Sequence, residues 1–108
     1  MKNVLIVGGG IAGLSALNRL VDLGISATLV ESGTYPSHKI CGEFFSSECL
    51  PILSSWDVEP IEKIEHISLV TAHRTLSFPL PDPARSQPRY TFDHSLVRRA
   101  EKKGAQIL

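Results

Sequence analysis

The chain has little cysteine, few aromatic residues, no net charge and no long apolar run, and each shortage closes off a class of protein. Two cysteines among 108 residues, Cys41 and Cys49, are eight apart, which fits neither a CxxC redox pair nor a zinc-ligand spacing. Without a disulfide framework the thiols are expected to be reduced, as in a cytosol, and the expected location is cytoplasmic. Lys and Arg number 11 and Asp and Glu number 11, so the balance suggests neither nucleic acid nor an anionic membrane as partner. The most basic stretch, Arg98 to Lys103, is interrupted by Ala100 and Glu101 and reads as a solvated helix face. No apolar run approaches the roughly 20 residues that span a bilayer. The four histidines, His38, His66, His73 and His94, show no metal-ligand spacing. No nucleophile sits in a G-x-S-x-G setting, so no catalytic residue and no metal ligand is assigned.

What is present begins at once. The opening MKNVLIVGGGIAGLSAL could be a secretory signal, but the apolar pattern continues in helical phase through Leu14, Leu17, Leu20 and Val21. Ser15, Asn18, Arg19 and Asp22 fall on the other side, which is an amphipathic helix rather than a membrane-seeking run. Residues 3–7 (NVLIV) have the composition of a buried parallel strand. A helix is expected from about Ile11 to Leu23 with Gly24 just past its end, and a second strand at 26–30. Strand, helix and strand make a βαβ unit whose crossover should be right-handed.

Gly8-Gly9-Gly10-Ile11-Ala12-Gly13 matches G-x-G-x-x-G at the strand-to-helix turn. Gly8 permits the turn, Gly10 lets the backbone approach a pyrophosphate, and Gly13 lets the helix lie close to the sheet. The helix N-terminus, including Ile11 and Ala12, offers unpaired N–H groups and a partial positive charge to an anion. Glu31, at the end of the second strand, is placed to accept a hydrogen bond from a ribose hydroxyl and would repel a 2′-phosphate. The cofactor expected at this loop is FAD or NAD, and composition and spacing do not separate the two.

Further on, residues 32–38 read as loop, and Ser46 or Ser47 could cap a short helix from about Glu48 to Ser54. Residues 66–71 and 75–80 alternate like an antiparallel strand pair. The proline-rich PLPDPARSQP reads as a surface connection. Asp93 is expected to cap a last helix that runs through Lys103, with Leu96, Val97 and Ala100 inward and Gly104 as its stop. AQIL begins a third strand.

HKICGEFFSSECLPIL resembles the segment after the second strand in FAD-dependent geranylgeranyl-reductase-like proteins, which belong to the wider para-hydroxybenzoate-hydroxylase-like group. RYTFDHSLVRRAEKKGAQIL resembles their R-x-x-(F/L)-D-x-x-L…A…G-A stretch. The resemblance implies a Rossmann-like α/β FAD-binding domain with a parallel sheet, present here only in its N-terminal portion, with the 66–80 strand pair belonging to a substrate-covering part. It implies that the glycine loop, Glu31 and Ser32 hold the ADP half of FAD. It also implies that Lys39 and Arg89 approach the cofactor and that Cys41 and Gly42 lie near flavin and substrate. A parent of this kind would reduce or hydroxylate a small apolar or aromatic substrate with NAD(P)H, while these 108 residues alone would bind rather than turn over. The alternative is a stand-alone NAD- or ADP-binding module without chemistry.

Overall fold

A computed structural model describes residues 3–108. The chain divides into two compact units: one runs to Ile40 and resumes at Arg89–Leu108, and the other is Cys41–Pro88.

The first unit holds β1 (Asn3–Val7), α1 (Ile11–Asp22), β2 (Ser26–Val30), α3 (Arg89–Lys102) and β6 (Gln106–Ile107). Its three strands run parallel in the order β1-β2-β6. Asn3 pairs with Ser26 and Val7 with Val30, so β1 and β2 end level with each other. The strands follow chain order across the sheet, so crossovers of one hand carry α1 and α3 to the same face. That face makes the core: Leu14, Leu17, Ala27, Leu29, Phe92, Leu96, Val97 and Ala100 are buried. Gly24 (φ +72°) and Gly104 (φ +94°) end the two helices as their sequence positions suggest.

Four expectations need correcting in this unit. β1 is parallel but not buried: Leu5 and Val7 are 63% and 81% exposed, because both helices take the other face and β1 has a neighbour on one side only. Asn18 is not on a solvated side. It is fully buried, its amide donating to the carbonyls of Leu14 (2.8 Å) and Leu96 (3.0 Å), the second across to α3. Nor is the basic stretch wholly solvated, since Arg99 donates to Asn18 Oδ1 (3.1 Å) and Asp22 Oδ1 (2.9 Å), and Lys103 pairs with Asp22 as well. A polar seam thus joins α1 to α3 where solvent was expected.

Asp93 is also not a cap. α3 starts at Arg89, directly after Pro88, and Asp93 lies in its second turn at 2% exposure, gripped by Arg89 through two N–H bonds of 2.7 and 2.9 Å. An (i, i+4) fork of this kind draws the carboxylate inward, away from the helix end.

The second unit has an antiparallel sheet in the order β3-β5-β4, from β3 (Phe44–Phe45), β4 (Glu62–Val70) and β5 (Thr75–Ser86). A 3-10 turn (Ser47–Cys49) leads into α2 (Leu50–Ser55), later than the expected 48–54 helix and without a serine side-chain cap. Pro51 falls in the first turn of α2, where its missing N–H leaves no helical bond unmade. Phe45, Leu53, Trp56, Val58 and Ala84 are its buried apolar residues. The strand pair is longer than 66–71 and 75–80, and the proline-rich stretch is strand rather than connection. Ile64 pairs with Ala84 and His66 with Pro79, so residues 80–83 bulge opposite Glu65. Pro81 and Pro83 sit in that bulge, where no ladder bond is required of them. The β4–β5 turn is closed by Thr71, whose hydroxyl donates to the Arg74 carbonyl (3.0 Å) and accepts from its N–H (3.1 Å).

Candidate functional site, a dinucleotide cradle

The level ends of β1 and β2 bring the glycine turn and Glu31 off neighbouring strands at one edge of the sheet. Adjacent strands lie about 4.8 Å apart, so the turn and Glu31 leave the sheet side by side. Gly8 continues the ladder, its N–H donating to the Val30 carbonyl at 2.8 Å, and then turns the chain at φ +101°, a region open to glycine. Gly13 lies against the carbonyl of Gly8, and a Cβ there would overlap that oxygen, so the helix approaches the strand as closely as backbone permits.

Gly10 is the N-cap of α1 and differs in kind. A Cβ on Gly10 would meet nothing within 4 Å. It supplies no side-chain acceptor to the first turn, and that turn carries no acidic residue. The N–H groups at the head of α1, from Ile11, Ala12 and Gly13, are therefore left for an anion from outside. Open space over a bare helix head suits a pyrophosphate.

Glu31 supplies the second half of the fit. Its backbone N–H donates to the Leu108 carbonyl (3.1 Å), which ties it to the end of β6. Its Oε2 is buried and has no hydrogen-bond partner among the described residues. A buried carboxylate oxygen without a donor is costly, and a ribose hydroxyl is the donor this position suits.

Beside these lies a residue the sequence did not single out. Tyr35 donates its phenol proton to the Gly9 carbonyl at 2.7 Å. Burial first, then the charges of Glu31 and Asp93, push its pKa from 10.0 up to about 12, so it remains a donor throughout the ordinary pH range. The available signal was Gly9 itself, the middle of three consecutive glycines, at a position where the motif asks for none.

The other expected site residues are spread more widely. Ser32 and Lys39 are exposed on the loop after β2. Arg89 belongs to the same unit, but two of its N–H groups are committed to Asp93, which makes it first a clamp within α3. Near it, the rings of His38 and Tyr90 stack with centroids 4.6 Å apart. Cys41 and Gly42 belong to the second unit. Both are exposed, and Cys41 Sγ accepts the Glu43 N–H at 3.3 Å. Both cysteines are free thiols.

No protein-family model matches the chain. It is 31% identical over 116 aligned positions to a ubiquinone hydroxylase, UbiM, of Neisseria meningitidis, an alignment that covers 92% of this chain and 25% of that protein. Among solved structures, 2-methyl-3-hydroxypyridine-5-carboxylic acid oxygenase superposes with a TM-score of 0.84 at 21% identity, over all of this chain and 31% of the other. A geranylgeranyl bacteriochlorophyll reductase-like protein of Thermoplasma acidophilum gives 0.79 at 23% identity, over 97% of this chain and 29% of the other. The chain thus spans between a quarter and a third of the length of these three proteins. No helix among the described residues is long and apolar enough to cross a membrane. The chain therefore shares the α/β fold of the corresponding part of these solved structures, a parallel three-stranded sheet with its helices and an antiparallel sheet.

Proposed function

We propose that the chain cradles the ADP half of FAD and serves as the cofactor-binding start of a flavin-dependent oxidoreductase of the reductase or monooxygenase type. The observation that carries this reading is the buried, partnerless Oε2 of Glu31 beside an uncapped helix head. Those two features ask for one ligand that presents a hydroxyl donor and an anion a short distance apart, as a ribose and its pyrophosphate do. A flavin-dependent brominase, Bmp2, also superposes on the chain with a TM-score of 0.83 at 19% identity, and its cofactor favours FAD over NAD as that ligand.

Each residue has a binding task. Gly8 and Gly13 shape the turn, and Gly10 leaves room for the pyrophosphate at the N–H groups of Ile11, Ala12 and Gly13. Glu31 takes the ribose hydroxyl, with Ser32 next to it on the loop. Lys39, an exposed cation, can approach the cofactor phosphates after a rotamer change. Arg89 contributes chiefly by fixing Asp93 and the head of α3. When bound, FAD supplies the redox chemistry through its isoalloxazine, and the protein holds and orients it. A small apolar or aromatic substrate and a nicotinamide reductant belong to a protein of the length of the matched relatives.

The test is titration of the purified chain with FAD and separately with NAD, followed by flavin fluorescence and calorimetry. Saturable binding of FAD, displaced by ADP, is the expected result. Tight binding of NAD with no affinity for FAD or ADP overturns the flavin reading in favour of a nicotinamide module.

A further inference from the structure

Gly9 stands where G-x-G-x-x-G leaves the residue free. It is nonetheless buried, and a Cβ there would overlap the Tyr35 phenol and press on Leu29. The carbonyl of the same residue accepts the Tyr35 hydrogen bond. The peptide that joins Gly9 to Gly10 is planar and trans, so its oxygen and the Gly10 N–H point in opposite directions. Holding the oxygen against Tyr35 turns that N–H away from the phenol, and a Cβ on the same Gly10 would meet nothing within 4 Å. A run of three glycines is otherwise the freest backbone a chain can have, and fixing it in advance removes an ordering cost from ligand binding.

We infer that Tyr35 is a positioning residue for the pyrophosphate: its phenol locks the Gly9–Gly10 peptide with the Gly10 N–H toward the anion, and Gly9 is glycine so that the phenol can reach its carbonyl. The inference rests on the nucleotide reading proposed above. Tyr35 itself touches neither phosphate nor ribose in this arrangement. It acts through the backbone, so its removal should be felt by ligands that carry phosphate and not by those that lack it.

The experiment compares FAD, ADP and adenosine on the full 108-residue chain and on Tyr35→Phe, with adenosine measured by competition. FAD and ADP should bind about 3- to 10-fold more weakly to Tyr35→Phe, the effect of one hydrogen bond, with adenosine unchanged. Equal affinity for ADP in both proteins, or an equal loss for all three ligands, overturns the inference. A second arm does not depend on the fold of that variant. Gly9→Ala should weaken ADP binding in the parent chain but cause a much smaller loss in a Tyr35→Ala background, where only the lighter contact with Leu29 remains. Equal losses in the two backgrounds overturn it. If the unaltered chain binds none of the three ligands, the nucleotide reading falls and this inference with it. If the unaltered chain binds them and Tyr35→Phe binds ADP as well, only this inference falls.

Discussion

Three glycines of one turn carry different physical burdens, and single substitutions should separate them. Gly10 has nothing within 4 Å of its would-be side chain, whereas Gly13 lies on the carbonyl of Gly8. Gly10→Val should therefore melt close to the parent yet lose FAD and ADP binding, because only the ligand space is filled. Gly13→Ala should lose stability first, as strand and helix are pushed apart. Thermal melts and a binding titration of both variants check the contrast. Glu31 shows the opposite trade. Its buried, unpartnered oxygen is unfavourable in the free protein, so Glu31→Ala should melt at the same temperature or higher while binding weakens by about 1–3 kcal/mol. An unchanged ligand affinity would move the adenosine elsewhere. Tyr35 adds a pH dependence. Its pKa is higher in the folded protein, near 12 against an ordinary 10.0, so its contribution is complete below about pH 10 and is lost as pH rises through 12. The difference in stability between the parent and Tyr35→Phe should shrink over that window, as denaturation at fixed pH values would show.

At the scale of elements, the part of the fold readable from sequence was the part built from local rules. β1, the turn, α1 and β2 lie within thirty residues, and their glycines and apolar spacing mark each boundary. Where tertiary contacts decide, the same rules misled. Asn18 falls on the polar side of α1, but α3 lies there and satisfies the amide through the Leu96 carbonyl and the Arg99 guanidinium. Asp93 has the look of a cap, yet Arg89 four residues earlier holds it within the helix. The prolines of 79–83 signal a turn, but a bulge opposite Glu65 absorbs them and β5 continues to Ser86. Tyr35 was legible only indirectly, through the extra glycine at 9, because its hydrogen bond depends on a loop returning over Gly9. The buried seam gives an element-scale prediction. Asn18→Ala removes hydrogen bonds to both helices and leaves Arg99 short of an acceptor, and should cost about 1–3 kcal/mol in chemical denaturation. Loss of a solvated asparagine would cost a few tenths at most.

Over the whole molecule, apolar surface remains open in both units. In the first, Leu5, Val7 and Val30 face outward from the parallel sheet; in the second, Ile67, Leu69, Val70 and Phe78 are exposed on the strand pair. β1 also offers an unpaired edge. Such surface is unusual on a self-sufficient monomer and favours association. The isolated chain should bind a hydrophobic dye in its native state and self-associate as concentration rises, seen by sedimentation. A monomer that melts sharply at high temperature and binds no dye would contradict this.

The stacked rings of His38 and Tyr90 mark where the chain leaves the first unit and where it comes back. Because both points meet at one clasp, the forty-eight residues of Cys41–Pro88 form a loop-out whose two stems are already joined. Insertions arranged in this way can lengthen, shorten or change sequence without moving the strands and helices that receive them. The two units are thus free to diverge at different rates, since a change of length or sequence in one need not disturb the strands and helices of the other.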